Sequence, residues 1–361
     1  MKSTRSADFL RRALVLGSAA AGLAAWAVAP RARRDAITHA VPGLPRVWYA
    51  HRGLHDAGSG LTDAYSAHSG EYVALARRMA LRAGYGSADA TGPIAPENSL
   101  AAFAAACEAG FGIELDIQLT RDGRVVVVHD STLMRIAGDP RRIGELTYEQ
   151  LCAIPLFPAP ALPGDAVAAP VKEGAAATSS GYTQSGYAQH VPLLSDVLRL
   201  VDGRVPLIVE YKMPSLEQWD DGCESLMEKG DALLRDYQGE YVVESFHPGA
   251  LRWYRMNDPA VCRGQLASRA DLHEDGLKAW LAGELSLNWM SRPDFVAYDW
   301  SDGNAPAVRL SRFLGAVMVS WTVRSPEEYQ RARTMFDRHI IESFVPSDDV
   351  PGPVSGGGTI L

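Results

Sequence analysis

The sequence predicts an α/β chain folded as a distorted (β/α)8 TIM barrel with an N-terminal hydrophobic anchor helix, and three observations lead there. From Val47 onward, short apolar runs alternate with amphipathic stretches, as they do in βαβ units of a mostly parallel sheet. The 361 residues are 47% hydrophobic and 22% charged, which suits one large core once a leader, two insertions and a tail are set aside. The reactive side chains gather where apolar runs end, and the C-terminal strand ends of a parallel barrel form its active face. Their spread from His51 to Trp321 around one ring favours a single barrel over two ordinary domains.

At the N-terminus, Lys2, Arg5, Arg11 and Arg12 precede an uncharged run from Ala13 to Ala29, and Pro30, Arg31, Arg33 and Arg34 follow it. A basic region before an apolar one is an address rather than part of the fold. Residues 1–34 are expected to be an uncleaved signal anchor, because Pro30 after Ala27 and Ala29 disfavours cleavage. A twin-arginine export signal led by Arg11-Arg12 is the second reading, and an Ala-rich helix on a soluble enzyme the third. The expected location is membrane-anchored by a single helix, with the catalytic domain extracytoplasmic. Residues 35–46 read as a linker, 47–346 as the barrel and 347–361 as a loose tail.

The strand candidates are Val47 to Ala50, Gly112 to Leu119, Val125 to Val128, Pro206 to Tyr211, Tyr241 to Phe246, Arg263 to Leu266, Phe295 to Tyr298, Val317 to Val323 and Ile340 to Phe344. Helices are expected over Ser99 to Ala109, Leu216 to Tyr237, Pro248 to Met256 and Pro326 to Met335. The link through Arg121, Asp122 and Gly123 is too short for a crossover helix, so one βα unit is expected to lack its helix. Two segments read as surface insertions. One, about 58–94, carries a helical run from Glu71 to Arg82; the other, about 157–190, is rich in Ala, Pro and Gly without periodicity.

A formal net charge of -8 excludes a nucleic-acid binder driven by phosphate neutralisation and is compatible with a carboxylate-rich metal site. Cys107, Cys152, Cys223 and Cys262 lack metal or redox spacing and read as packing residues.

Glu114 and Asp116 stand at i and i+2 of a strand and share a face, opposite Ile113, Leu115 and Ile117. Two adjacent carboxylates are costly to bury, and a hard divalent cation removes that cost; a solvated edge strand is the plainer alternative. Other run ends supply His51-Arg52, His129-Asp130 and Glu210-Tyr211-Lys212. Acids for a metal, cations for phosphoryl charge and imidazoles for proton transfer together suit phosphodiester cleavage. The other seven histidines, His55 and His339 among them, read as structural.

His51-Arg52-Gly53, Pro96-Glu97-Asn98-Ser99, Glu114-Leu115-Asp116, His129-Asp130, Glu210-Tyr211-Lys212, Ser245-Phe246 and Trp321-Thr322-Val323 follow in one order. In this the chain resembles glycerophosphodiester phosphodiesterases, from about Trp48 to Pro346. The resemblance implies a distorted TIM barrel that hydrolyses glycerophosphodiesters to an alcohol and glycerol phosphate, in phospholipid metabolism, with Ca²⁺ or Mg²⁺. It implies His51 and His129 as general acid and base, and Glu114, Asp116 and Glu210 as metal ligands. Arg52 and Lys212 are implied to hold phosphate, Glu97 to be a further metal ligand or to support one, and Phe246 and Trp321 to line the pocket. The long segment between Arg52 and Pro96 departs from the family pattern and is expected to form a lid or membrane-facing cap. The end Glu342-Ser343-Phe344-Val345-Pro346 departs from the common Thr-Asp-x-Pro. A membrane-associated phospholipase-type enzyme of lysophospholipase D or phospholipase C kind is the alternative, and a non-catalytic anchored barrel the least favoured. A small-molecule diester is the expected partner, with the membrane engaged through the N-terminal segment.

Overall fold

The computed structural model describes residues 21–31, 41–157 and 189–347. Its strands are β1 (Trp48–His51), β2 (Gly112–Leu119), β3 (Val125–Val127), β4 (Thr132–Leu133), β5 (Asp139–Arg142), β6 (Leu207–Tyr211), β7 (Tyr241–Ser245), β8 (Arg263–Ala267), β9 (Phe295–Asp299), β10 (Val317–Val323) and β11 (Arg338–Ile341). Eight of them run parallel in the order β1-β11-β10-β9-β8-β7-β6-β2, and pairing of β1 with β2 closes the ring. Every expected strand is present. β3 is not a stave, however: it folds back antiparallel on β2, with Ile117 opposite Val127. The short link therefore makes a hairpin outside the ring rather than a βα unit without its helix. β11 also ends earlier than the apolar pattern suggests, because Ser343 takes a left-handed φ of 65° that breaks the extended backbone.

The helices are α1, described over residues 21–28, then α2 (Ser66–Arg82), α3 (Leu100–Ala109), α4 (Met134–Ala137), α5 (Tyr148–Cys152), α6 (Leu194–Val201), α7 (Asp221–Arg235), α8 (Pro248–Asn257), α9 (Gly276–Gly283), α10 (Asn288–Ser291), α11 (Pro306–Phe313) and α12 (Pro326–Ala332). Ser99 caps α3 by accepting from the Ala102 amide, and Pro248 opens α8 where its missing N–H costs nothing. The insertion after β1 is not confined to the surface. Its helix α2 packs on α3 and buries Tyr72, Ala76 and Ala80 completely, so it belongs to the outer helical layer. Small side chains on both helices allow that close approach.

Tyr49, Ile208, Val242, Phe295, Val319 and Ile340 form one buried cluster contributed by different staves. Gly264 lies under it, and a Cβ there would stand 2.0 Å from the Phe295 ring. At the N-terminal ends of the staves, α1 and the residues after it dock on the barrel. Trp26 stacks on Trp289 at 5.7 Å, the Arg31 guanidinium pairs with Asp294 at 2.8 Å, and Val28 is buried. Among the described residues no helix is long and apolar enough to cross a membrane. Most of the expected anchor, the linker up to residue 40, nearly all of the second insertion and the tail from residue 348 lie outside the described residues. The four cysteines are free thiols; Cys223 and Cys262 are buried, and Cys152 is exposed rather than packed.

His339 on β11 is a structural histidine with a consequence for stability. It is buried, its Nδ1 lies 2.7 Å from the Ser320 hydroxyl, and the Trp48 and Tyr329 rings flank it. Burial first, then Arg338 and Arg333, lower its pKa from 6.5 to about 3. Below pH 6.5 the unfolded chain takes up a proton that the folded one refuses. The stability from this site is therefore whole above 6.5 and is lost as pH falls from 6.5 toward 3. A loss on the order of 3 kcal/mol is expected by about pH 4. Urea unfolding of the parent and of His339→Gln across that range measures it, and equal pH slopes for the two would refute it.

Candidate active site

β1 ends at His51, and Arg52 and Gly53 turn the chain with φ of 56° and 82°. Glycine is required at 53, since a Cβ would lie 2.9 Å from the Ala102 backbone of α3. The turn aims the Arg52 amide at Glu114 Oε2, 3.0 Å away on the neighbouring stave. Glu114 and Asp116 on β2 share an inward face, as their spacing requires, and Glu210 on β6 stands in register with Asp116. Lys212 follows on the same face and reaches Glu210 Oε2 at 2.7 Å and Asp116 Oδ1 at 3.0 Å. These three carboxylates are at most 5% exposed.

The acids fall into two electrostatic groups. For Glu114, burial and then the charges of Asp116, Glu210 and Glu244 push the pKa well up. Glu244, in register with Glu210 on β7, is pushed well up by burial and by Glu210. Glu210 is raised by burial, with Lys212 opposing. Asp116 goes the other way: burial would raise it, but Lys212, His129 and Arg52 together hold it well below the carboxylate range. It also accepts a 2.8 Å hydrogen bond from Asn98 Nδ2.

His51 faces Glu114 Oε2 at 4.0 Å through Nε2 and Glu342 Oε2 at 3.3 Å through Nδ1. Burial and then Arg52 lower its pKa to about 4, so the ring is neutral at physiological pH. Glu342 is fully buried; besides His51 it meets His55 Nε2 at 2.9 Å and Arg324 Nε at 2.8 Å, and accepts from the Gly60 amide at 3.1 Å. His129 arrives on the β2–β3 hairpin, not from a stave. Gln118 Nε2 donates to the carbonyls of Val128, His129 and Asp130, fixing that hairpin, and His129 Nδ1 lies 2.7 Å from Asp130 Oδ1.

A cavity of about 100 Å³ is lined by His51, Arg52, Glu114, His129, Glu210, Lys212, Glu244, Phe246 and Trp321, with Thr322 and Arg324 at its side. A wider cavity of about 510 Å³ adjoins it through His129 and Lys212. Of the residues singled out in sequence, Asp116 lies behind the lining, held against Lys212 and Arg52. Glu97 is also behind it, turned to cations rather than to the other acids. Its carboxylate pairs with Arg52 at 2.8 Å and with Arg135, and accepts from the Ser59 amide at 2.7 Å. It therefore positions Arg52. Sequence reasoning missed Glu244, Glu342, His55, Asn98, Arg135 and Arg324. Glu244 had a signal: it stands two residues before Phe246, hence on the same strand face.

Residues 86–340 match the model of the Glycerophosphoryl diester phosphodiesterase family. The chain belongs to this family. Among curated relatives, a Bacillus altitudinis glycerophosphodiester phosphodiesterase is 32% identical over 169 residues, which is 46% of this chain and 59% of that protein. The chain thus matches little more than half the length of that relative. Among solved structures, a Silicibacter pomeroyi protein shares the fold, with a TM-score of 0.56 and 21% identity over 84% of this chain and 92% of that one. An Oleispira antarctica phosphodiesterase in complex with the product sn-glycerol-3-phosphate shares it too, with a TM-score of 0.51 and 16% identity over 82% and 93% of the two chains. The family's barrel accounts for the ring of staves, and the cavity lies at their C-terminal ends.

The donor set fits a hard divalent cation. Glu114, Glu210 and Glu244 each offer an oxygen within 4.8 Å of the others. Two ligands on one Ca²⁺ stand up to about 5 Å apart, so the span closes around an ion with little movement. Glu244 Oε2 is buried with no hydrogen-bond partner, an atom that a cation would satisfy.

Proposed function

We propose that the chain is a metal-dependent phosphodiesterase that hydrolyses glycerophosphodiesters to an alcohol and glycerol phosphate, in phospholipid metabolism. The observation that carries this is one small cavity lined by two histidines, two cationic side chains and buried carboxylates. Arg52 and Lys212 bind the phosphodiester anion, and their own carboxylate partners hold them in place. His51, kept neutral by burial, accepts the proton of the attacking hydroxyl, which belongs to water or to the substrate's own glycerol. His129 stands between the small cavity and the wide one and protonates the departing alkoxide. The buried acids, Glu114 and Glu210 among them, would hold a Ca²⁺ or Mg²⁺, which when bound would supply Lewis-acid stabilisation of phosphoryl charge. Phe246 and Trp321 pack edge to face at 5.6 Å and wall off the opposite side.

Release of glycerol phosphate from glycerophosphocholine by the full chain tests this reading. Chelation with EDTA is expected to abolish turnover, and added Ca²⁺ or Mg²⁺ to restore it. Undiminished turnover in EDTA, or no glycerol phosphate, would sink the reading. A phospholipase-type activity is the second reading, favoured by the size of the adjoining cavity and its apolar residues Leu119, Met213, Pro214 and Leu226. Lysophospholipid and phosphatidylinositol assayed beside glycerophosphocholine separate the two. The N-terminal basic and apolar residues support membrane anchoring with an extracytoplasmic catalytic domain, export through a twin-arginine signal being the alternative.

A further inference from the structure

We infer that the N-terminal end of the barrel is a lipid-docking face: Leu23, Trp26 and Trp289 enter the interface of an anionic bilayer, and Arg255 and Arg292 contact its phosphates. The inference builds on the membrane-anchoring reading above and adds to it a contact made by the barrel itself. The active-site mouth then faces away from the lipid.

Continuity with the N-terminal segment places the bilayer at this end. The uncharged run from Ala13 to Ala29 leads into α1, and α1 is seated beside the residues that open β9. The Arg31 amide donates to the Pro293 carbonyl at 2.8 Å, and Asn288 Nδ2 to the Val28 carbonyl at 3.3 Å. Arg292 Nη1 donates to the carbonyls of Trp26 and Ala29 at 2.7 and 3.1 Å. On its open side α1 leaves Leu23 66% and Trp26 53% exposed, three residues apart and so on one helix face. Trp26 stacks on Trp289, itself 42% exposed, and the Arg292 guanidinium lies 4.9 Å from the Trp26 ring. Tryptophans beside a cation suit the boundary between lipid and water, where one end of the ring is apolar and the other wet.

Charge at this face is opposite to that of the chain. The chain carries a formal -8, yet Arg31, Arg255, Arg263 and Arg292 gather around one carboxylate, Asp294. Asp294 is already taken by the Arg31 guanidinium at 2.8 Å and the Arg263 amide at 3.1 Å. Arg255 Nη1 donates to the carbonyls of Trp289 and Met290 at 3.0 and 2.9 Å, and among the described residues neither Arg255 nor Arg292 forms an ion pair. Burial and then the charge of Arg255 lower the Arg292 pKa, so the two cations feel each other. Lipid phosphates supply the anions this cluster lacks, and each arginine at an anionic surface strengthens binding by about 5-fold. A bilayer here lies about one stave length, roughly 20 Å, from the cavity at the opposite strand ends. That distance suits substrates dissolved in water and weighs against the phospholipase-type reading.

Brominated lipids quench tryptophans that reach the acyl boundary, so the contact is read with the full chain in vesicles of phosphatidylcholine, alone or mixed with phosphatidylglycerol. Quenching is expected to be stronger with phosphatidylglycerol and to weaken as salt is added. Trp289→Phe is expected to remove part of it. Trp219→Phe is expected to remove none, since Trp219 is exposed at the opposite, mouth-side end of the barrel, just before α7. Arg255→Gln and Arg292→Gln are each expected to lower the ratio of docked to undocked chain by about 5-fold. Parental turnover of glycerophosphocholine in both arginine variants shows that the barrel is still folded. Quenching equal in the two lipids and unmoved by either arginine variant would overturn the inference. So would quenching lost in Trp219→Phe but kept in Trp289→Phe, which would turn the mouth toward the bilayer. Absent quenching with a dimer in solution would assign the face to a second copy, and it too overturns the inference. Sedimentation with both kinds of vesicle that survives high salt reports the anchor instead. Its absence while the anionic quenching persists would refute anchoring and leave the docking face standing.

Discussion

His51→Ala is expected to lower kcat on glycerophosphocholine by about 10²- to 10⁴-fold while changing KM only a few-fold. The phosphate is gripped by Arg52 and Lys212, which have carboxylate anchors independent of His51, so ground-state binding survives the substitution. What disappears is the proton acceptor. His51 is placed for that role because Glu342 at Nδ1 leaves Nε2 directed toward the Glu114 side of the cavity, and burial, which lowers its pKa to about 4, keeps the ring neutral at physiological pH. Initial rates measured with matched metal supply decide the matter. A variant that keeps more than about a tenth of parental kcat has no such proton transfer to lose.

Removing the Glu342 carboxylate, as in Glu342→Ala, is expected to destabilise the fold by about 3–5 kcal/mol and to lower kcat as well. This fully buried group is the common partner of His51, His55 and Arg324 and also takes the Gly60 amide. His51 and His55 hold its pKa well below the carboxylate range despite the opposing burial, so it is ionised when folded. Its loss strands the buried His55 ring and the Gly60 amide without their acceptor and leaves the partly exposed Arg324 without its carboxylate. Urea unfolding gives the stability change. Glu342→Gln keeps the shape and one acceptor oxygen, and is expected to recover part of the stability while kcat stays low, because a neutral amide cannot hold the His51 ring as a carboxylate does. Parental kcat in Glu342→Gln would remove Glu342 from the catalytic arrangement.

Much of this site was legible along the chain because its key pairs are local. Glu114 with Asp116 and Glu210 with Lys212 are two residues apart on strands, so alternation alone puts each pair on one face. Ser99 sits where a helix cap belongs, and it caps α3. Glu342 and His55 were not legible as partners. They are 287 residues apart in sequence, and their contact exists only because β11 lies next to β1 in the closed ring. Glu97 was legible only as part of a local motif: that its side chain turns to Arg52 and Arg135 depends on elements distant in sequence.

By itself, the sequence determined the alternation of strands and helices, the family motifs and the inward pairs of charged residues, since each depends on backbone periodicity and near neighbours. Only the tertiary structure decided that β3 turns back to carry His129 over the mouth, that α2 joins the outer layer, and that Glu244 stands beside Glu210. Those outcomes depend on which strands become neighbours when the ring closes. Hydrophobic burial chooses that order over the whole chain at once, and no local spacing encodes it.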